Sequence, residues 1–264
     1  MQTTKLNKLF EAASPSELQK ERMLRGILTQ KGDVTPMKTT HKPKFRTAAV
    51  AAALAAALIV SVSAAVLLLS PKDVASALSD PTLAAAFESP DAITVNQSIE
   101  SEGYRFTLAG LVSGKGLSDY AQDLDAERTY AVASVARLDG EPIESATVSL
   151  NLSPLVAGYY PHQVNAWTLG GGYSSFVREG VAYYLFDCKS LQLFADHTVY
   201  LAAYEGFVPG PDLFDMAEDG TISFTDKVEG PHALFTLPLD PAGADPAAAE
   251  QLLEEIGIPT RAEA

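Results

Sequence analysis

Chemistry needs nucleophiles, acids, bases or metal ligands at working spacing, and this 264-residue chain offers few. Cys188 is the single cysteine, so no internal disulfide can form and a cysteine-type structural zinc site is excluded. An exported lone cysteine can pair between chains, but "YLFDCKS" reads as the end of a strand. His162, His197 and His232 are scattered, with neither H-x-x-x-H nor H-E-x-x-H spacing. Asp196-His197 in "FADHTVYL" has the residue types of an acid–base pair. Sequential neighbours on a strand face opposite sides, however, and the pair reads as part of a turn.

Two further stretches have suggestive composition. "TLGGGYSSF", residues 168–176, has three consecutive glycines before Tyr173 and Ser174. It is neither G-x-S-x-G nor a phosphate-binding G-x-x-x-x-G-K-[ST] loop. Backbone freedom at a wide turn or bulge before a strand accounts for it, and a ligand loop at Gly170, Gly171, Gly172, Tyr173 and Ser174 is the alternative. "PDLFDMAEDGT" gathers Asp212, Asp215, Glu218 and Asp219 without the D-x-[DN]-x-[DN]-G order of a calcium loop, and it reads as a solvated acidic hairpin. Nothing forms an enzyme signature, and no cofactor is called for.

The elements that would position these residues are mostly strands. From Ala92 onward come "AITVNQSIE", "YRFTLAGLV", "RTYAVASVARL", "ATVSLNLS", "SFVREGVAYYLFD", "HTVYLAAYEG", "TISF" and "HALFTLPL", rich in Val, Tyr, Phe, Thr and Leu. Asp139-Gly140, Glu179-Gly180 and Asp219-Gly220 are turn corners. About eight short strands in roughly 150 residues predict an antiparallel, Ig-like β-sandwich over residues 92–264. "DPAAAEQLLEEIGI" predicts a closing helix, capped by Asp245, opened by Pro246 and ended by Gly257. Ahead of the strands, residues 71–91 predict short helices split at Asp80-Pro81.

A different kind of segment precedes these. Residues 47–71 carry no charge and are fenced by Arg46 and Lys72. As a helix, residues 47–70 would extend roughly 36 Å, more than the ~30 Å of a bilayer's hydrocarbon core. Ten of them are Ala, yet the Val, Leu and Ile positions together favour insertion by about 3–6 kcal/mol. Small residues at 62–65 also fit a signal-peptidase site, but 46 residues come first, too many for the short basic start of a signal peptide. The reading is therefore an uncleaved single transmembrane helix. Ala49, Ala53, Ala57, Ser61 and Ala65 form a small-residue stripe that would let two such helices meet in a homodimer.

Charge sets the orientation. Residues 1–46 hold ten Lys/Arg against four Asp/Glu, a net of +6; residues 71–264 hold nine against 29, a net of −20. Lys38, Lys42, Lys44 and Arg46 lie just before the uncharged run and only Lys72, beside Asp73, just after it, so the positive-inside rule places the tail in the cytoplasm and the acidic bulk outside the cell membrane. Such an acidic domain repels nucleic-acid phosphates. In the tail, Ser14, Pro15 and Glu17 start a helix that presents Met23, Leu24, Ile27 and Leu28 on one face. Leu6, Leu9 and Phe10 form a second apolar cluster. A 46-residue tail cannot bury these faces alone; they rest on the bilayer surface or dock into a cytoplasmic protein. Residues 31–46 are a polar linker.

This layout resembles the anti-sigma-factor-like single-pass membrane proteins of Gram-positive bacteria. In particular, "AITVNQSIESEGYRFTLAGLV" (residues 92–112), with its "NQS" and following "GY", resembles the opening strands of domain of unknown function 4179. The resemblance implies a tail that holds a sigma factor at the membrane and an outer domain that reports envelope conditions. It assigns no catalytic or ligand residue. The zinc motif of many such tails, His-x-x-x-Cys-x-x-Cys, is absent: the tail has His41 and no Cys.

Overall fold

A computed structural model describes residues 68–144, 150–206 and 209–258. The tail residues Leu6, Leu9, Phe10, Met23, Leu24, Ile27 and Leu28, the apolar run up to residue 67, and the stripe from Ala49 to Ala65 lie outside the described residues. Among the described residues, no helix is long and apolar enough to cross a membrane.

From Ile93 the chain is mainly β and every strand pairing is antiparallel. One sheet has the order β1-β2-β3-β6-β5, from β1 (Ile93–Ser101), β2 (Tyr104–Ser113), β3 (Arg128–Arg137), β5 (Gly172–Arg178) and β6 (Val181–Lys189). The second has the order β10-β7-β4, from β4 (Leu150–Val156), β7 (Val199–Glu205) and β10 (His232–Thr236). A separate hairpin pairs β8 (Phe214–Met216) with β9 (Ile222–Phe224).

Turn chemistry fixes the register. Glu179 and Gly180, both at positive φ (53° and 76°), fold the run 175–187 into the β5–β6 hairpin. Glu102 and Gly103 do the same between β1 and β2, with φ of 48° and 79°. Paired positive-φ residues match the right-handed strand twist. Asn96, at φ 51°, sits where the β1 register shifts between Thr94 and Gln97.

Inner faces of the two large sheets share one core, as in a β-sandwich. Phe106, Leu108, Ala131, Tyr184 and Phe186 from the first meet Leu152, Leu201, Ala203 and Phe235 from the second. Helix α3 (Pro246–Glu255), capped by Asp245 through the Ala248 amide, adds Ala249, Leu252 and Leu253 to that core.

The outer faces are apolar too, and each has its own cover. Ala109, Val132, Val181 and Tyr183 on the five-stranded sheet receive Val74 of helix α1 (Pro71–Ala77). Val112 receives Ala75 and, from helix α2 (Pro81–Ala86), Leu83, Ala84 and Ala86. Ser70 and Asp73 form a reciprocal capping box at the start of α1. Asp80 accepts the Leu83 amide at 2.8 Å to start α2, at the Asp80-Pro81 break. Packing reaches the first described residues: Leu68 and Leu69 lie against the sheet, and the Leu69 amide donates to Tyr183 Oη at 3.2 Å. On the other side the β8–β9 hairpin covers Leu155, Tyr200, Ala202 and Tyr204, with Phe214 and Phe224 stacked at 4.7 Å.

Leu83 is 1% exposed beneath this cover, whereas Leu138 is 36% exposed. Leu83→Ala should cost about 2–5 kcal/mol of unfolding free energy in the full chain, and Leu138→Ala no more than about 0.5 kcal/mol. Urea unfolding followed by far-UV circular dichroism measures both. Equal midpoints would mean that α1 and α2 are not part of the folded core.

Candidate functional site

The triple-glycine stretch closes a turn. The amides of Gly170 and Gly171 donate to the carbonyls of Trp167 and Ala166 at 3.2 and 2.6 Å. Gly170 has φ 58°, a conformation that disfavours a side chain. Its carbonyl accepts from Arg128 Nη2 at 3.0 Å, and Arg128 Nε donates to Asp187 Oδ2 at 2.7 Å. One guanidinium thereby clips the turn to β3 and β6. A Cβ on Gly171 would lie 3.0 Å from the Ala166 carbonyl oxygen and 3.1 Å from both the Asp187 carbonyl oxygen and Cys188 Cβ. Gly172 has open space, and with Tyr173 and Ser174 it begins the exposed edge strand β5. Tyr173 meets Tyr184 edge-on at 5.6 Å. Of the residues singled out as a loop, 170 and 171 form the turn and 172–174 lie on the strand.

Other chemistry-bearing residues fall apart in space. His197 Nδ1 lies 3.0 Å from the Ala157 carbonyl, to which it can only donate. Its Nε2 is 3.9 Å from Asp196 Oδ2, beyond hydrogen-bond reach, in the turn ahead of β7. His162 stacks on Tyr160, and His232 Nδ1 contacts the Gly230 carbonyl at 2.9 Å. Asp219 Oδ1 accepts the Thr221 amide at 2.9 Å within the β8–β9 hairpin, which holds its carboxyl below the usual range. Among the described residues, no group of three or more His, Cys, Asp or Glu is placed to hold a metal ion. Cys188 is fully buried, and that burial pushes its thiol pKa up.

A cleft of about 740 Å³ opens elsewhere, at one end of the sandwich. Ile93 of β1 and Leu111 and Ser113 of β2 form one side. The 3-10 turns Gly114–Tyr120 and Leu191–Phe194, the segment from Asp240 to Asp245 and one face of α3 from Ala248 to Glu255 complete it. Its floor is apolar, with Leu111 and Leu252 buried beside Ile93 and Leu193. Two of its lining residues, Ser113 and Ser190, belong to a short line of hydroxyls that continues to the buried Thr129. Ser113 Oγ is 2.6 Å from Thr129 Oγ1, which also accepts the Leu191 amide at 2.9 Å. Ser190 Oγ reaches Ser113 Oγ only at 3.4 Å. Asp91, Glu127, Asp240, Asp245 and Glu255 line the walls, against Lys115 and Lys189. Sequence reasoning misses this site because its lining comes from separate segments between residues 91 and 255. No short motif spans them.

No family model, no curated protein and no solved structure matches the chain. The cleft and the clipped turn therefore rest on their own geometry.

Crowding at Gly171 yields a contrast. Gly171→Ala should destabilise by about 1–3 kcal/mol through overpacking, while Gly172→Ala should change stability by no more than about 0.5 kcal/mol. Thermal unfolding of the two variants decides. If Gly172→Ala proves the more damaging, packing is not what the glycines provide.

Proposed function

We propose that this chain is a single-pass, anti-sigma-factor-like membrane regulator: a cytoplasmic tail over residues 1–46, one transmembrane helix and an outer domain that reports envelope conditions. The observation that supports this reading is the asymmetry of basic residues about the uncharged run: Lys38, Lys42, Lys44 and Arg46 just before it, and only Lys72, beside Asp73, just after it. Lys and Arg close to the end of a span keep that end with the cytoplasm. Leu68 and Leu69 pack on the outer face of the five-stranded sheet, which leaves residues 47–67 for the lipid. As a helix, those 21 residues would extend roughly 31 Å, still the thickness of the hydrocarbon core.

Strand order favours an Ig-like outer domain. With β2, β3, β6 and β5 taken as A, B, E and D, and β4, β7 and β10 as C, F and G, both sheets follow the ABED/CFG order. β1 is an added edge strand, and the β8–β9 hairpin is an insertion between F and G.

Within the tail, Met23, Leu24, Ile27 and Leu28, with Leu6, Leu9 and Phe10, form the surface for a cytoplasmic partner, a sigma factor by resemblance. The 740 Å³ cleft favours a second reading, an anchored extracytoplasmic binding module with no cytoplasmic role. Affinity capture of the cross-linked full chain from its native cells separates the two. A sigma factor should be recovered with the wild type, and Ile27→Asp with Leu28→Asp should reduce its yield about tenfold, as expected for loss of apolar anchors. Equal recovery from both would remove that face from the account and leave the binding-module reading.

A further inference from the structure

We propose that the cleft between α3 and the 3-10 turn Gly114–Tyr120 binds an apolar amine, a ligand with a hydrocarbon body and an ammonium head. This deepens the reading of the outer domain as a sensor and rests on that reading for its consequence, while binding itself does not depend on the tail. At about 740 Å³ the cleft has the volume of a small-molecule site. Its floor of Ile93, Leu111, Leu193 and Leu252 offers hydrocarbon nothing to hydrogen-bond and an area to cover.

The walls select the sign of the head group. Five acidic residues line the cleft against two lysines, and residues 71–264 are strongly negative, a combination that concentrates cations in a cleft. Two of the carboxylates are held firmly: Asp240 accepts the Ala242 amide at 2.9 Å and Asp245 the Ala248 amide at 3.1 Å. Asp91 is partly answered by Lys115, 3.8 Å away. Ser190 adds a further acceptor. It is only 7% exposed, lines the cleft, and has a long 3.4 Å contact to Ser113 Oγ, so its oxygen has capacity for an ammonium N–H. An anionic ligand would meet repulsion here, and a neutral one would leave the walls unanswered.

The test uses the isotope-labelled full chain in nanodiscs, with the amide signals of Gly114, Gly116 and Gly243 as reporters inside the cleft. Cyclohexylmethylamine should move these signals saturably, while the neutral isostere cyclohexylmethanol should bind about tenfold more weakly. Glu127→Gln with Glu255→Gln should weaken the amine to a similar extent, as should Leu193→Ser, with the remaining spectrum unchanged. Asp215→Asn with Glu218→Gln, the same charge change on the β8–β9 hairpin, should leave binding intact. Lysyl-leucine amide tells the source of the cation: tighter binding than the simple amine assigns it to peptide, weaker binding to a small free amine. The proposal is overturned if amine and alcohol shift the signals alike, if no shift saturates, or if the hairpin control weakens binding as much as the cleft variants. Loss of the tail interaction would leave these results untouched.

Discussion

The central strands of the five-stranded sheet, β2, β3 and β6, are apolar on both faces, and the elements around them follow from the need to cover both. β2 shows the constraint most plainly: Leu108 and Leu111 point to the shared core, while Ala109 and Val112 point the other way, and all four are buried. The second sheet covers the inner face. For the outer face the chain uses α1 and α2, the segment that lies immediately ahead of the sheet in sequence. The three-stranded sheet repeats the solution with the β8–β9 hairpin. A sheet buried on both sides loses the alternation of a one-sided strand and reads as a nearly continuous apolar run.

This cover ties the start of the domain to its middle. At Gly110 a side chain would meet the Ile93 carbonyl at 2.8 Å and Pro71 Cγ at 3.2 Å, so α1 lies almost against the β1–β2 backbone. Ile93 and Leu111, paired across those strands, also line the cleft. A ligand in the cleft and the first turn of α1 therefore bear on the same two strands.

Much of the domain is legible in the sequence because local chemistry and tertiary demand agree. Glu179-Gly180 supplies the left-handed backbone that the β5–β6 hairpin needs, Asp80-Pro81 both caps and opens a helix, and Asp245-Pro246 does so again. The failures have physical causes. β4 runs on through Pro154, a residue that argues against a strand, because β4 is an edge strand where a missing amide costs no ladder bond. β8 hides inside an acidic stretch, since its pairing to β9 is set by Phe214 and Phe224 seated on Tyr204 and not by the exposed carboxylates between them. The cleft is illegible for a third reason: its walls are brought together only by the closing of α3 over the end of the sandwich.

Topology is the hinge of the functional account, and Cys188 makes it measurable, because a fully buried thiol with a raised pKa stays silent to alkylation. A membrane-impermeant maleimide applied to intact cells should label Gln122→Cys, on an exposed turn between β2 and β3, and should reach Ser16→Cys only after the cells are permeabilised. Labelling of Ser16→Cys in intact cells, or protection of Gln122→Cys until permeabilisation, would contradict the two-sided arrangement on which the regulatory reading stands.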